Sequence, residues 1–228
     1  MSRNAASETP NTLHNARPAL VVHGALRREL GLAGPLVRRV AEGDADRAAV
    51  VARHLDLVLR MLHHHHETED EGVWPRLRDR AGEEVVALVE VMERQHARID
   101  ELTRASEELL PVWARAASGA VGERLATSLE ELQVVLGEHL ELEERELLGL
   151  AEQHLTHDEW EAMGASAQAA FPGKERTLVF GLLEHRADPE IIAQMLASAP
   201  APVRFLVPRL GRRAYRRQAV AVHGTPNP

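Results

Sequence analysis

The sequence predicts an all-α fold, an up-down-up-down four-helix bundle with a C-terminal helical extension. Four long segments carry apolar residues at alternating three- and four-residue spacing, with short connections between them. Hydrophobic residues make up 44% of the 228 but aromatics only 3%, so the core must be built from Leu, Val and Ala, which suits close helix packing. Histidine recurs on the apolar faces, with 13 copies in a chain that has no cysteine.

Residues 1–17 are polar and read as a flexible N-terminus. An apolar-periodic helix starts at Pro18, is broken or kinked at Gly34-Pro35 and resumes to Glu42. Gly43-Asp44 makes a turn, and Asp44 caps a second helix that reaches about Glu71. Trp74-Pro75 ends it, because the residue before proline resists helical ψ. A third helix follows Gly82, from Glu83 to Ala117, with a kink expected at Pro111; a fourth runs from Val121 to His154. Residues 18–155 thus form the bundle and 156–228 the extension. In the extension Thr156-His157-Asp158-Glu159 has the capping-box pattern, and Asp188-Pro189-Glu190 reads as cap, first-turn proline and first-turn acid.

Composition also excludes. Lack of cysteine removes disulfides, zinc ribbons, iron–sulfur clusters and thiol catalysis. A formal charge of -8 argues against a general nucleic-acid binder. No apolar run reaches the roughly 18 residues of a membrane span, and the N-terminus lacks a secretory pattern, so no membrane partner and a cytoplasmic location are expected. The six arginines after Ala201 (Arg204, Arg209, Arg212, Arg213, Arg216, Arg217) are expected to face solvent or this chain's own acidic helices.

The chemistry lies in the stripes. In the second helix Val51, Leu55, Val58 and Leu62 continue onto His65 and then Glu69; in the fourth, Leu125, Leu129, Leu132 and Leu136 continue onto His139 and then Glu143. A His and a Glu four residues apart stand about 40° apart in rotation and about 6 Å along the axis, within reach of one ion. The first and third helices each place one histidine on their stripe, His23 and His96. His66–Asp70 and His63–Glu67 are rival pairs in the run His63-His64-His65-His66, and stripe phase favours His65–Glu69. Six polar groups converging in a core, each costing about 1–3 kcal/mol if unpaired, would threaten a domain stable by about 5–15 kcal/mol. A cation removes that penalty. Four imidazoles and two carboxylates suit two ions better than one, and thiolate-free N/O donors suit iron, with manganese or zinc as alternatives. His54, three turns before His65 on a similar face, is a further candidate.

The segments HHHHETEDEGVWPRL and GEHLELEERELL resemble the paired H-x-x-x-E motifs of the hemerythrin-type cation-binding (HHE) family. VVHGALRREL and MERQHARIDEL resemble that family's first- and third-helix histidine segments, so the resemblance covers roughly residues 18–155. It implies a non-haem di-iron site, oxo- or hydroxo-bridged and spanned by two carboxylates, with one position exchangeable for a small ligand. Carried over, the metal ligands are His23, His65, Glu69, His96, His139 and Glu143. Where oxygen carriers of this family have a second third-helix histidine, this chain has Asp100, which is a further ligand, a partner behind the ligands, or a solvated side chain with Ile99 taking the core position. The functions implied are binding of, or reaction with, O2, nitric oxide or peroxide in oxidative or nitrosative stress, possible enzyme activity included. The alternatives are a metal-dependent sensor or adaptor without turnover, or a bundle holding another metal.

Overall fold

A computed structural model of the chain describes residues 16–228, and they are all-helical. The flexible N-terminus expected over residues 1–17 lies outside the described residues as far as residue 15. Arg17 already opens a helix, α1 (Arg17–Arg38). It is followed by α2 (Ala45–Thr68), a π-helical turn (Glu69–Val73), α3 (Trp74–Arg80), α4 (Glu83–Ala116), α5 (Gly119–Glu146) and α6 (Leu148–His154). The C-terminal part holds α7 (His157–Ala169), α8 (Gly173–Glu184), α9 (Pro189–Met195) and α10 (Ala201–His223).

Both prolines expected to break or kink the long helices lie inside them, Pro35 in α1 and Pro111 in α4. Each is on the exposed side, so the carbonyl that the ring leaves free faces toward solvent rather than the core. Asp44 does cap α2, accepting from the Arg47 N–H at 3.0 Å. Trp74-Pro75 does not terminate the chain's helical course. Instead the π-helical turn takes up one extra residue, the Trp74 N–H reaching Glu69 O, and Pro75 falls in the first turn of α3, where its missing N–H costs nothing. Gly72 lets Met163 of α7 press on this turn at a distance no Cβ would allow. The fourth segment is also not one helix: it breaks at Leu147, which is fully buried.

Helix α1 packs on α5, α5 on α4, α4 on α2 and α2 on α1, closing a ring around one apolar core that includes Leu26, Leu55, Leu62, Leu129 and Leu136. A second cluster, with Trp74, Leu77, Met92, Leu147 and Ala151, gathers where α3 meets α4 and α6. The break at Leu147 redirects that residue, with Ala151 and Leu155, into this cluster. Between the two clusters lies the level of the stripe histidines.

The C-terminal helices share the main core, since Leu182, Tyr215, Ala219 and Val222 belong to the same cluster as Leu26. Both expected caps form there: Thr156 and Glu159 make a reciprocal capping box, and Asp188 accepts from the Glu190 N–H at 2.8 Å. Arg28 of α1 donates to Leu182 O and His185 O at 2.7 and 2.9 Å, satisfying carbonyls at the end of α8. Helices α8 and α10 cross where Gly181 meets Gly211, backbone against backbone. No described helix is long and apolar enough to cross a membrane.

A Cβ at Gly181 would collide with the Gly211 carbonyl, whose backbone has no flexible end to move. We predict that Gly181→Ala costs about 1–3 kcal/mol and loosens α10, so that trypsin cleaves faster at its solvent-facing arginines. An unchanged melting temperature and cleavage pattern would show that this crossing opens without cost.

Candidate metal centre

Six stripe residues meet at one level. His23 comes from α1, His65 from the last turn of α2, Glu69 from the start of the π-helical turn, His96 from α4, and His139 and Glu143 from α5. Their donor atoms fall into two sets, in each of which all atoms lie within 4.8 Å of one another. One set is His23, His65, Glu69 and Glu143; the other is His66, Glu69, His96 and His139. Glu69 stands in both. In the first set His23 Nε2 is 3.4 Å from Glu143 Oε2, and His65 Nε2 is 3.4 Å from Glu69 Oε1. In the second, His96 Nε2 is 3.5 Å from Glu69 Oε2 and 3.2 Å from His139 Nε2.

His66 is the member that stripe phase passed over. Its ring is buried and stacks on His96 with centroids 4.1 Å apart, while His65 meets His23 edge-on at 4.9 Å. Helix α2 packs against both α1 and α4, so two consecutive residues about 100° apart each face one of the two seams. The rival pairing His66–Asp70 held the signal.

An outer row of acceptors fixes the rings, and sequence reasoning did not single out its roles. His96 Nδ1 lies 2.8 Å from Asp70 Oδ1, His23 Nδ1 2.8 Å from Glu144 Oε1, and His139 Nδ1 3.1 Å from Gln95 Oε1. Burial opposes ionisation of Glu144, but bonds from His23 and Arg27 outweigh it and hold its carboxyl down at about 2. A carboxylate or amide oxygen only accepts, so each Nδ1 donates, and in a neutral ring the Nε2 lone pair then turns inward. The facing Nε2 atoms of His96 and His139 then have no proton between them. Such a pair repels, unless an ion lies between: donors side by side on one ion, with bonds of about 2.0–2.1 Å, stand about 3 Å apart.

The residues therefore fit a pair of cations. His23 Nε2, His65 Nε2, His66 Nε2, Glu69 Oε2 and Glu143 Oε2 are all buried without a hydrogen-bond partner. Burial lowers the proton affinity of His65 and His66 and takes His139 down to about 3, so these three imidazoles are neutral and ready to donate. Burial, together with the charge of Glu143, pushes the Glu69 carboxyl well up; burial also raises Glu143.

Two sequence candidates lie elsewhere. His54 is on the right face of α2, but eleven residues before His65, about 16 Å along the helix, and it meets Glu29 instead. Asp100 is half-exposed and bonded to Arg104, with Ile99 taking the core position. It lines a cleft of about 490 Å³ that leads from the surface to His66 and His96, walled by Leu62 and Ile99 and edged by Glu67, Asp70, Glu71 and Glu93.

A family model described as Hemerythrin HHE cation binding domain matches residues 20–151, which span every residue of both sets. No curated protein and no solved structure matches the chain.

Without metal, the two kinds of donor pull stability in opposite directions with pH. The buried imidazoles stay neutral in the fold and take protons in the unfolded chain below 6.5, so they cost stability as pH falls from there. The buried carboxyls hold protons in the fold that the unfolded chain releases above 4.5, so they cost stability as pH rises from there. Chelated Glu143→Gln protein is expected to melt about 3–6 °C higher than chelated wild type near pH 8, with the gain shrinking toward pH 4.5. In the presence of metal the order reverses. An equal melting temperature at both pH values would show that the Glu143 carboxyl is not under this strain.

Proposed function

Because the chain belongs to the hemerythrin HHE cation-binding family, we propose that its four long helices, running up-down-up-down, hold two iron ions between them. Glu69 carries the reading. It is the one side chain common to both donor sets, as a carboxylate spanning two ions must be, and each of its oxygens faces a different imidazole, Oε1 toward His65 and Oε2 toward His96. With Glu69, the residues His23, His65 and Glu143 would hold the first ion, and His66, His96 and His139 the second. Glu143, 3.8 Å from His139 Nε2, is close enough to reach across as well.

When bound, the iron pair supplies an exchangeable coordination position and a change of oxidation state for O2, nitric oxide or peroxide. This chain's residues do the rest. Asp70, Glu144 and Gln95 hold the protons of three imidazoles on the outer nitrogen, fixing which nitrogen donates and how each ring is turned. Leu62 and Ile99 give the cleft an apolar wall beside His66 and His96. Its carboxylate edge admits cations and small neutral molecules and disfavours anions, which selects O2, nitric oxide or hydrogen peroxide over anionic ligands. The proposed role is handling of such species under oxidative or nitrosative stress.

Protein purified aerobically without added metal is expected to carry about two irons per chain by elemental analysis, mixed imidazole–carboxylate donors being suited to iron. His66→Ala and His139→Ala should each lower that number, and Asp70→Ala should weaken iron binding about 10–100-fold while leaving every donor in place. Full iron retention by His66→Ala and His139→Ala would overturn the donor assignment. Nitric oxide and peroxide decay, compared between iron-loaded and chelated protein, then decides reactivity. Iron without turnover of either would make the protein a binding module.

A further inference from the structure

Outside the central site, one other group of described side chains has the make-up of a metal centre: Glu29 of α1, His54 of α2 and His223 at the end of α10. Each offers a donor atom, all within 4.8 Å of one another. Glu29 and His54 are 1% and 2% exposed, so hydration cannot serve them.

Their hydrogen bonding is incomplete. Glu29 Oε1 accepts from Arg28 at 2.9 Å, which leaves Oε2 free. His54 Nε2 comes within 3.2 Å of that Oε2, but out of line, and Glu29 Oε2 and His54 Nδ1 are both buried without a hydrogen-bond partner. The His223 ring stands edge-on to His54, with centroids 5.5 Å apart. A simple charged pair between His54 and Glu29 accounts poorly for this. It would need an imidazolium whose second N–H, on Nδ1, is buried with no acceptor.

We propose that Glu29, His54 and His223 form a second, separate cation site that takes one divalent ion of the zinc class and clamps the last turn of α10 to α1 and α2. Two imidazoles and one carboxylate are a recurrent zinc donor set, with the fourth position left to water. Around a tetrahedral ion the donors stand about 3.3 Å apart, close to the 3.2 Å between His54 and Glu29. Half-buried His223 has the freedom to close the remaining gap by rotating its side chain. The end of α10 is already in place for this, because Arg47 of α2 binds the carbonyls of Ala221 and Val222 and Gly224 ends the helix in the left-handed conformation. Arg28 occupies only Glu29 Oε1, so the ion meets a carboxylate oxygen that no arginine holds.

The test is zinc uptake by the full-length, iron-loaded protein, dialysed against micromolar Zn2+ and analysed for both metals. Wild type is expected to gain about one zinc per chain with its iron unchanged. Glu29→Gln, His54→Gln and His223→Gln should gain none, and zinc should slow hydrogen exchange over residues 215–223 in wild type but not in His223→Gln. His223 is half-exposed, so that variant tests the site without emptying the core. Glu69→Gln/Glu143→Gln, disabled at the central site, should still take up its zinc. No uptake by wild type, equal uptake by His223→Gln, or loss of uptake in the central double variant would each overturn the proposal.

Discussion

Two glutamates, Glu69 and Glu143, give up hydration inside a leucine core, and the groups that act on them most are imidazoles, other carboxylates and each other. That is the constraint on which the rest of the structure turns. A carboxylate in such surroundings needs a positive charge, and the charge is not supplied by arginine or lysine as in an ordinary buried ion pair. The four helices around the site are long enough to bury both carboxyls and apolar above and below them, so the demand for a cation is built into the packing itself.

The same economy governs the histidines. Neutral imidazole is a useful donor only if its proton is held elsewhere, and here the holding is done from three directions by Asp70, Gln95 and Glu144. Glu144 is in turn held by Arg27, so an arginine at the surface of α1 acts on the electron pair of His23 in the interior. The carboxylates immediately following Glu69 and Glu143 in sequence point the other way, away from the centre, and serve the rings from behind. One short sequence thus furnishes both layers of a site.

Much of this was legible in the sequence, because phase along a helix survives folding. His23, His65, Glu69, His96, His139 and Glu143 continue their apolar stripes, and the structure brings them together. Phase says nothing of depth, and so His54, correctly faced, is about 16 Å from where it was wanted. Nor does one helix's stripe say how many neighbours the helix has. Helix α2 has two at the level of the site, and His66 belongs to the second. Gly34-Pro35 reads as a break or kink and Pro111 as a kink; neither proline ends its helix, and both sit on outward faces. Among the C-terminal helices α10 does carry a stripe, Gly211, Tyr215, Ala219 and Val222 at three- and four-residue spacing, but a stripe does not say which core it joins, and α7 and α8 carry only weak ones.

The π-helical turn at Glu69–Val73 has an effect beyond the placement of one glutamate. Inserting a residue into the spiral works as a gear between two packing surfaces that need not share a common pitch. Before it, the helix presents imidazoles to α1 and α4; after it, Trp74 and Leu77 to an apolar cluster assembled from other elements. Each surface is thereby free to drift in sequence without dragging the other out of alignment, and the metal-facing half can be retuned while the floor beneath it stays fixed.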